Sequence, residues 1–151
     1  MLARDIMTRE VITTHPEEKI EEVTRLMIDN KISGIPVIDQ NRHVLGVITE
    51  QDLMVKASEL KVPFYLTLFD SIIFLENPLR FNQDLKKYTA SRVKEVMNSK
   101  VIVIEEDTPV SDVVELMQHK KINRVPVVRN KKLVGIITRN DVLKALVKSN
   151  G

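Results

Sequence analysis

Gly46-Val-Ile-Thr-Glu-Gln-Asp52 returns later in the chain as Gly135-Ile-Ile-Thr-Arg-Asn-Asp141. Each stretch is a short β-branched run that ends on Thr-x-x-Asp. The run predicts a strand, and the Thr-x-x-Asp predicts a helix starting where the strand stops. The two copies are 89 residues apart. Upstream the match continues at an offset of 90, so that Met7, Val11, Ile12, Val23, Leu26, Met27, Lys31, Ile32, Pro36 and Val37 recur as Met97, Val101, Ile102, Val113, Leu116, Met117, Lys121, Ile122, Pro126 and Val127. Such density over about 50 residues marks an internal repeat.

Working outward, each copy reads as strand, helix, strand, strand, helix. Val11-Ile-Thr and Val101-Ile-Val-Ile are expected strands. Ile20, Val23, Met27 and Ile28, matched by Val110, Val113, Val114 and Met117, have helical spacing. Thr108-Pro109 predicts a helix start, with Thr at the N-cap and Pro in the first turn. Ile35–Asp39 and Val125–Val128 are expected strands, followed by turns at Gln40-Asn-Arg and Arg129-Asn-Lys. Val44–Ile48 and Leu133–Ile137 are the last strands, and Glu50–Ala57 and Arg139–Val147 the closing helices. The reading is an α/β (α+β) chain of two βαββα repeats packed with pseudo-twofold symmetry. Neither copy alone would bury its apolar face well. The division is repeat 1 over 1–57, an aromatic-rich, partly helical insert over 58–90, and repeat 2 over 91–149.

Thr-x-x-Asp carries two readings. The plainer one is a capping box that starts a helix. The functional one uses the same place, because a helix N-terminus suits a phosphate and an Asp there can accept hydrogen bonds from a ribose diol.

On these residues both copies resemble CBS domains (the cystathionine-β-synthase-type repeat), and the pair resembles the tandem CBS regulatory module, over roughly 115 of the 151 residues. The resemblance implies βαββα units paired into a flat disc that often dimerises. It implies clefts for adenosine-containing ligands such as AMP, ADP, ATP or S-adenosylmethionine, no required cofactor, and a regulatory rather than catalytic role. Carried over by position, one cleft would use Thr138 and Asp141 for phosphate and ribose, with Ile12, Ile32, Ser33 and Gly34 around the base. The other would use Thr49 and Asp52 with Ile102, Ile122, Asn123 and Arg124. Arg124 stands where a phosphate-binding basic residue is often placed, and its counterpart is Gly34. Arg139 in the second motif attracts phosphate, whereas Glu50 in the first repels it, so the Thr138/Asp141 cleft is expected to be the stronger phosphate site. Ile12, Ile32 and Ile102 also read as ordinary core residues.

Composition excludes several classes. The chain has no Cys and no Trp, 43% hydrophobic and 29% charged residues, which removes disulfides, thiolate chemistry and Cys metal sites. His15, His43 and His119 fall at an expected loop, turn and helix surface without metal-ligand spacing. No Ser/His/Asp set, P-loop or Gly-rich fingerprint is present, and the reading is not an enzyme. The charge is polarised. Residues 1–60 balance at −4, 61–90 at +1 and 91–151 at +5. The basic end is either a solvated face or an attraction for anions. Nucleic acid is the weaker possibility, since no stacking aromatics accompany Lys120, Lys121, Arg124, Arg129, Lys131 and Lys132. Asp5 and Glu10 interrupt any signal-peptide pattern, and the apolar runs near 64–75 are too short for a membrane span. A cytoplasmic location is expected, with output passed to a separate, unidentified effector protein.

All six aromatic residues, Phe64, Tyr65, Phe69, Phe74, Phe81 and Tyr88, lie in the insert. They either cover a face of the disc or form a homodimer interface. Arg80–Thr89 reads as an amphipathic helix. The alternative to a nucleotide module is a structural homodimerisation module with vestigial clefts.

Overall fold

A computed structural model describes residues 1–59, 65–68, 71–74 and 78–149, with only the backbone given for 65–68, 71–74 and Pro78. The expected places of Phe64 and Phe69 lie outside the described residues. The elements run in chain order α1 (Ala3–Ile6), α2 (Ile20–Asn30), β1 (Gly34–Ile38), β2 (Val44–Thr49), α3 (Glu50–Ala57), β3 (Tyr65–Leu68), β4 (Ser71–Phe74), α4 (Pro78–Ala90), α5 (Val93–Val96), β5 (Ile104–Glu105), α6 (Val110–Lys120), β6 (Arg124–Arg129), β7 (Lys132–Thr138) and α7 (Arg139–Lys148). The mixed helix-and-strand class expected from the repeat is the observed one, and no described helix is long and apolar enough to cross a membrane.

Both hairpins form for the reasons visible in their sequences. β1 pairs antiparallel with β2, and β6 with β7, each across an Asn-containing turn and each with a register shift, at Val37/Ile38 and Val127/Val128. Ile35, Val37 and Ile48 are fully buried, as are Val125, Val127 and Ile137. Burial of each such side chain is worth about 1.5–3 kcal/mol. Ile20, Val23 and Met27 bring α2 onto the first core, and Val113 and Met117 bring α6 onto the second.

The structure corrects four local expectations. The leading strands are shorter and later than the β-branched runs suggest: residues 11–13 and 101–103 are unpaired, Thr14 makes one parallel bridge to Val37, and β5 pairs Ile104 with Val127. Val11, Ile12, Val101 and Ile102 face clefts instead, where no strand lies beside them. Ile28 is 70% exposed, because it falls off the stripe of Ile20, Val23 and Met27. Pro109, not Thr108, is the N-cap of α6. The Thr108 carbonyl is engaged by the Ala3 N–H at 2.7 Å. Finally, the short helices α1 and α5 and the β3–β4 hairpin were not predicted.

Those two short helices organise the whole molecule. The segment 1–8 packs into the second core, where Ala3 and Met7 join Ile104, Val113, Val125 and Ile137. Thr8 exchanges two backbone hydrogen bonds with Ile136 of β7, at 2.8 and 2.9 Å. Reciprocally, Val93 and Met97 pack on the first core, and Asn98 exchanges two bonds with Val47 of β2, at 3.0 and 2.9 Å. Each repeat thus completes its core with the leading segment of the other, so a linear repeat and a packed unit are different sets of residues. The glycines of the opening motif permit this. A Cβ at Gly46 would lie 2.6 Å from the Asn98 carbonyl oxygen, and one at Gly135 would lie 2.5 Å from Met7 Sδ.

The helix α4, near the expected Arg80–Thr89, packs beside α2. Its Tyr88 donates a hydrogen bond to the Leu53 carbonyl at 3.0 Å and lies against the first core, where burial raises its pKa.

Candidate functional site

At both strand-to-helix junctions the Thr and Asp form a reciprocal cap. Asp52 Oδ2 accepts the Thr49 N–H at 2.9 Å and its hydroxyl at 3.0 Å, and Thr49 Oγ1 accepts the Asp52 N–H at 3.2 Å. Thr138 and Asp141 repeat this with 2.9, 3.0 and 3.3 Å. The first helical amides are also engaged: Glu50 N–H donates to the Ser33 carbonyl at 2.9 Å, and Arg139 N–H to that of Asn123 at 3.0 Å. With cap, first and third amides satisfied internally, the polar character of the neighbouring space comes mainly from side chains.

Two clefts open beside these junctions. The first, about 250 Å³, is lined by Thr49, Asp52, Ile102, Ile122, Asn123 and Arg124, all six of the residues grouped by position. The second, about 580 Å³, is lined by Thr138, Arg139, Ile12, Ile32, Ser33 and Gly34. Asp141 is not among its lining residues, whereas Thr8 is. Asn123 and Arg124, assigned by position to the Thr49 cleft, line both. Ile12 and Ile32 serve in two ways at once, since they face the Thr138 cleft and also pack against the first core. Pro126 and Pro36 line the two clefts in matched places; lacking an N–H, each leaves no unpaired donor at this open strand edge.

Arg124 reaches across the boundary between the repeats. It is partly buried, its Nη2 donates to Ser33 Oγ, and its guanidinium occupies the space left open by Gly34. Burial lowers its pKa, while Glu50 and Asp52 oppose that shift. Arg139 donates from Nη2 to Asn123 Oδ1.

The structure adds cations that sequence reading missed. Lys121 and Lys100 line the Thr49 cleft, and Lys31 the Thr138 cleft. Lys31 and Lys121 are the C-caps of α2 and α6, in the left-handed region at φ 53° and 54°. A non-glycine residue there costs about 1–3 kcal/mol. Their place in the repeat match was the available signal. Lys100 is the counterpart of Glu10, which lines the other cleft. Glu50 does not line the Thr49 cleft and Asp141 does not line the Thr138 cleft, so each lining, sharing Arg124, holds three cationic side chains and one carboxylate. The expected contrast in charge is therefore absent from the linings.

Elsewhere, His43 pairs with Asp39 at 3.2 Å and His15 with Glu18 at 3.4 Å. The backbone amides of His43 and Asn41 hold the Asp39 carboxyl below its ordinary pKa. Among the described residues no group of three or more His, Asp or Glu could hold a metal ion.

Comparison with known proteins gives concordant matches. The family model for the CBS domain matches residues 3–59 and 93–148. The uncharacterized protein MJ1426 of Methanocaldococcus jannaschii is 34% identical over 155 residues, covering 97% of this chain and 92% of its own length. A crystal structure of CBSX2 in complex with AMP has a TM-score of 0.76 and 25% identity, covering 99% of this chain and 98% of that one. The CBS domain pair of protein MJ0100, solved with 5′-methylthioadenosine and S-adenosyl-L-methionine, has a TM-score of 0.69 and 25% identity, with 99% and 98% covered. Other relatives are longer. The chain spans 30% of MJ1404 and 23% of inosine-5′-monophosphate dehydrogenase, both of M. jannaschii.

Proposed function

The chain belongs to the CBS domain family, with two copies of the unit, and from that premise we propose that it is a non-enzymatic regulatory module binding adenosine-containing nucleotides between its repeats. The carrying observation is the position of Arg124. It lines both clefts from the boundary of the repeats, bonded to Ser33 of one while anchored in β6 of the other. An anionic ligand in either cleft competes for this guanidinium and so changes the contact between repeats. Ligand binding then shifts the population of repeat arrangements, which a separate effector protein reads. Structures similar to this chain were solved with AMP and with S-adenosyl-L-methionine, which supports an adenosyl ligand. The proposed ligand residues are Thr49, Asp52, Ile102, Ile122, Asn123 and Arg124 in one cleft, and Thr138, Arg139, Ile12, Ile32, Ser33 and Gly34 in the other, where Asp141 stands behind Thr8.

A thermal-shift screen with AMP, ADP, ATP and S-adenosylmethionine tests this. A ligand at 100 times its Kd adds about 2.7 kcal/mol, or several degrees in Tm for a chain of this size. If none of the four moves Tm, the nucleotide reading fails.

A second reading is supported by exposed apolar side chains on the closing helices. Leu143, Leu146 and Val147 of α7 and Met54 and Val55 of α3 are all more than half exposed. Burying them between two copies would make a homodimer. Light scattering should give twice the chain mass, falling to the monomer with Leu146→Asp; a wild-type monomer refutes it.

A further inference from the structure

Asp52 and Asp141 occupy matched positions, yet their second carboxylate oxygens are engaged differently. Both use Oδ2 for the helix cap. Asp141 Oδ1 accepts the hydroxyl of Thr8 at 3.1 Å. The backbone pair with Ile136 holds Thr8 in place. Its counterpart Asn98 is held by the same kind of pair to Val47, but its side chain turns elsewhere: Asn98 Oδ1 accepts the Lys100 N–H at 2.9 Å. Among the described residues no hydrogen bond reaches Oδ1 of Asp52. The consequence shows in the clefts. Asp52 faces the Thr49 cleft, while Thr8 faces the Thr138 cleft in place of Asp141.

We propose that Thr8 is a specificity-determining residue that closes Asp141 to a ligand's ribose diol, so that the ribosyl ligand is recognised in the Thr49 cleft through Asp52. A carboxylate offers about four lone-pair sites. The cap takes two on Oδ2, so a diol needs both sites of Oδ1, and at Asp141 the Thr8 hydroxyl already holds one of them. Freeing that site breaks the charge-assisted bond from the exposed Thr8 hydroxyl, which opposes two-handed binding of the diol. The charge balance of the two linings is equal, so it does not override this difference. This inference rests on the adenosyl-nucleotide reading above.

Isothermal titration with AMP and 2′-deoxy-AMP tests it. The wild type is expected to show one AMP site per chain, weakened at least tenfold by Asp52→Asn and by removal of the 2′-hydroxyl. Thr8→Ala is expected to add a second AMP site that also discriminates against 2′-deoxy-AMP. Adding Asp141→Asn to Thr8→Ala should remove the gained site, and Thr8→Ser should behave as wild type. An unchanged one-site isotherm in Thr8→Ala overturns the proposal, as do two equal sites in the wild type or full AMP affinity in Asp52→Asn. If AMP binds neither the wild type nor Thr8→Ala, the proposal is overturned, and the nucleotide reading fails with it when the thermal-shift screen also finds no ligand among the four.

Discussion

Arg124 and Gly34 hold matched places in the two repeats, and the missing side chain of one is the room used by the other. A Cβ at Gly34 would stand 2.5 Å from Arg124 Nε and 2.6 Å from Cζ. The guanidinium can therefore cross to Ser33 and face both clefts. A repeat with Arg at both positions could not place either side chain this way.

Gly34→Ala should separate binding from stability. The clash is with the end of a flexible side chain, so the expected loss of stability is within about 1 kcal/mol. The guanidinium must nevertheless leave its place. AMP affinity is expected to fall about tenfold by calorimetry, with Tm changed by only a few degrees. Unchanged affinity would show that Arg124 does not bind ligand from this position.

Gly46→Ala should do the reverse. Its new methyl would meet the Asn98 carbonyl oxygen at 2.6 Å, a backbone atom fixed by the Val47 N–H at 3.0 Å. Relief requires moving the exchanged segment off β2. Overpacking of this kind costs about 1–3 kcal/mol, and Tm should drop by roughly 2–4 °C per kcal/mol. A variant as stable as wild type would mean that the exchanged segment yields freely.

Thr14→Val is expected to stabilise the protein. Thr14 is 6% exposed, and its hydroxyl has no partner among the described residues. Its backbone N–H and carbonyl are bonded to Pro36 and Ile38, so the main chain needs nothing from the side chain. The second repeat places Ile104 at the matched position. Replacing a buried, unpaired hydroxyl with a methyl should gain about 1 kcal/mol, read as a higher urea midpoint. A lower midpoint would reveal an unseen partner for Oγ1.

Acid should weaken the ion pair between Glu106 and Arg129 in the second repeat. Glu106 accepts two bonds from Arg129, at 2.6 and 2.7 Å, and these hold its carboxyl below 4.5. Its carbonyl also accepts the Arg4 N–H at 2.9 Å. A carboxyl with a depressed pKa contributes its full stabilisation above the unfolded value and loses it as pH falls through the folded one. Arg129→Gln should therefore be less stable than wild type at neutral pH, with the difference closing as pH drops below 4.5. Equilibrium unfolding at a series of pH values reads this; a gap independent of pH assigns the effect to something other than the ion pair.

Much of the repeat was legible because its determinants are local. Ile20, Val23 and Met27 share one face of a helix whatever surrounds them, and Thr49 with Asp52 caps α3 using atoms three residues apart. Where local pattern and environment disagreed, environment prevailed. Val11-Ile-Thr has strand-like side chains but no strand beside it, because these residues face the open cleft. The charge contrast at Glu50 and Arg139 was visible too, but that Glu50 stays outside the Thr49 cleft while Lys100 and Glu10 enter the linings needed the cleft walls to be assembled.

The sequence by itself determined the duplication, the helix–strand–strand–helix order shared by both copies and both helix caps, and the resemblance to CBS domains grouped six residues that come together in the Thr49 cleft. The first three follow from periodicity, turn chemistry and positional matching between copies, and the grouping follows from the family resemblance. Only the tertiary structure decided that residues 1–8 and 91–98 cross between cores, that Arg124 serves two clefts, and that Thr8 covers Asp141 from 133 residues away. These are pairings between distant parts of the chain, set by which surfaces fit once both sheets are packed. A pattern read over a few neighbouring residues carries no information about them.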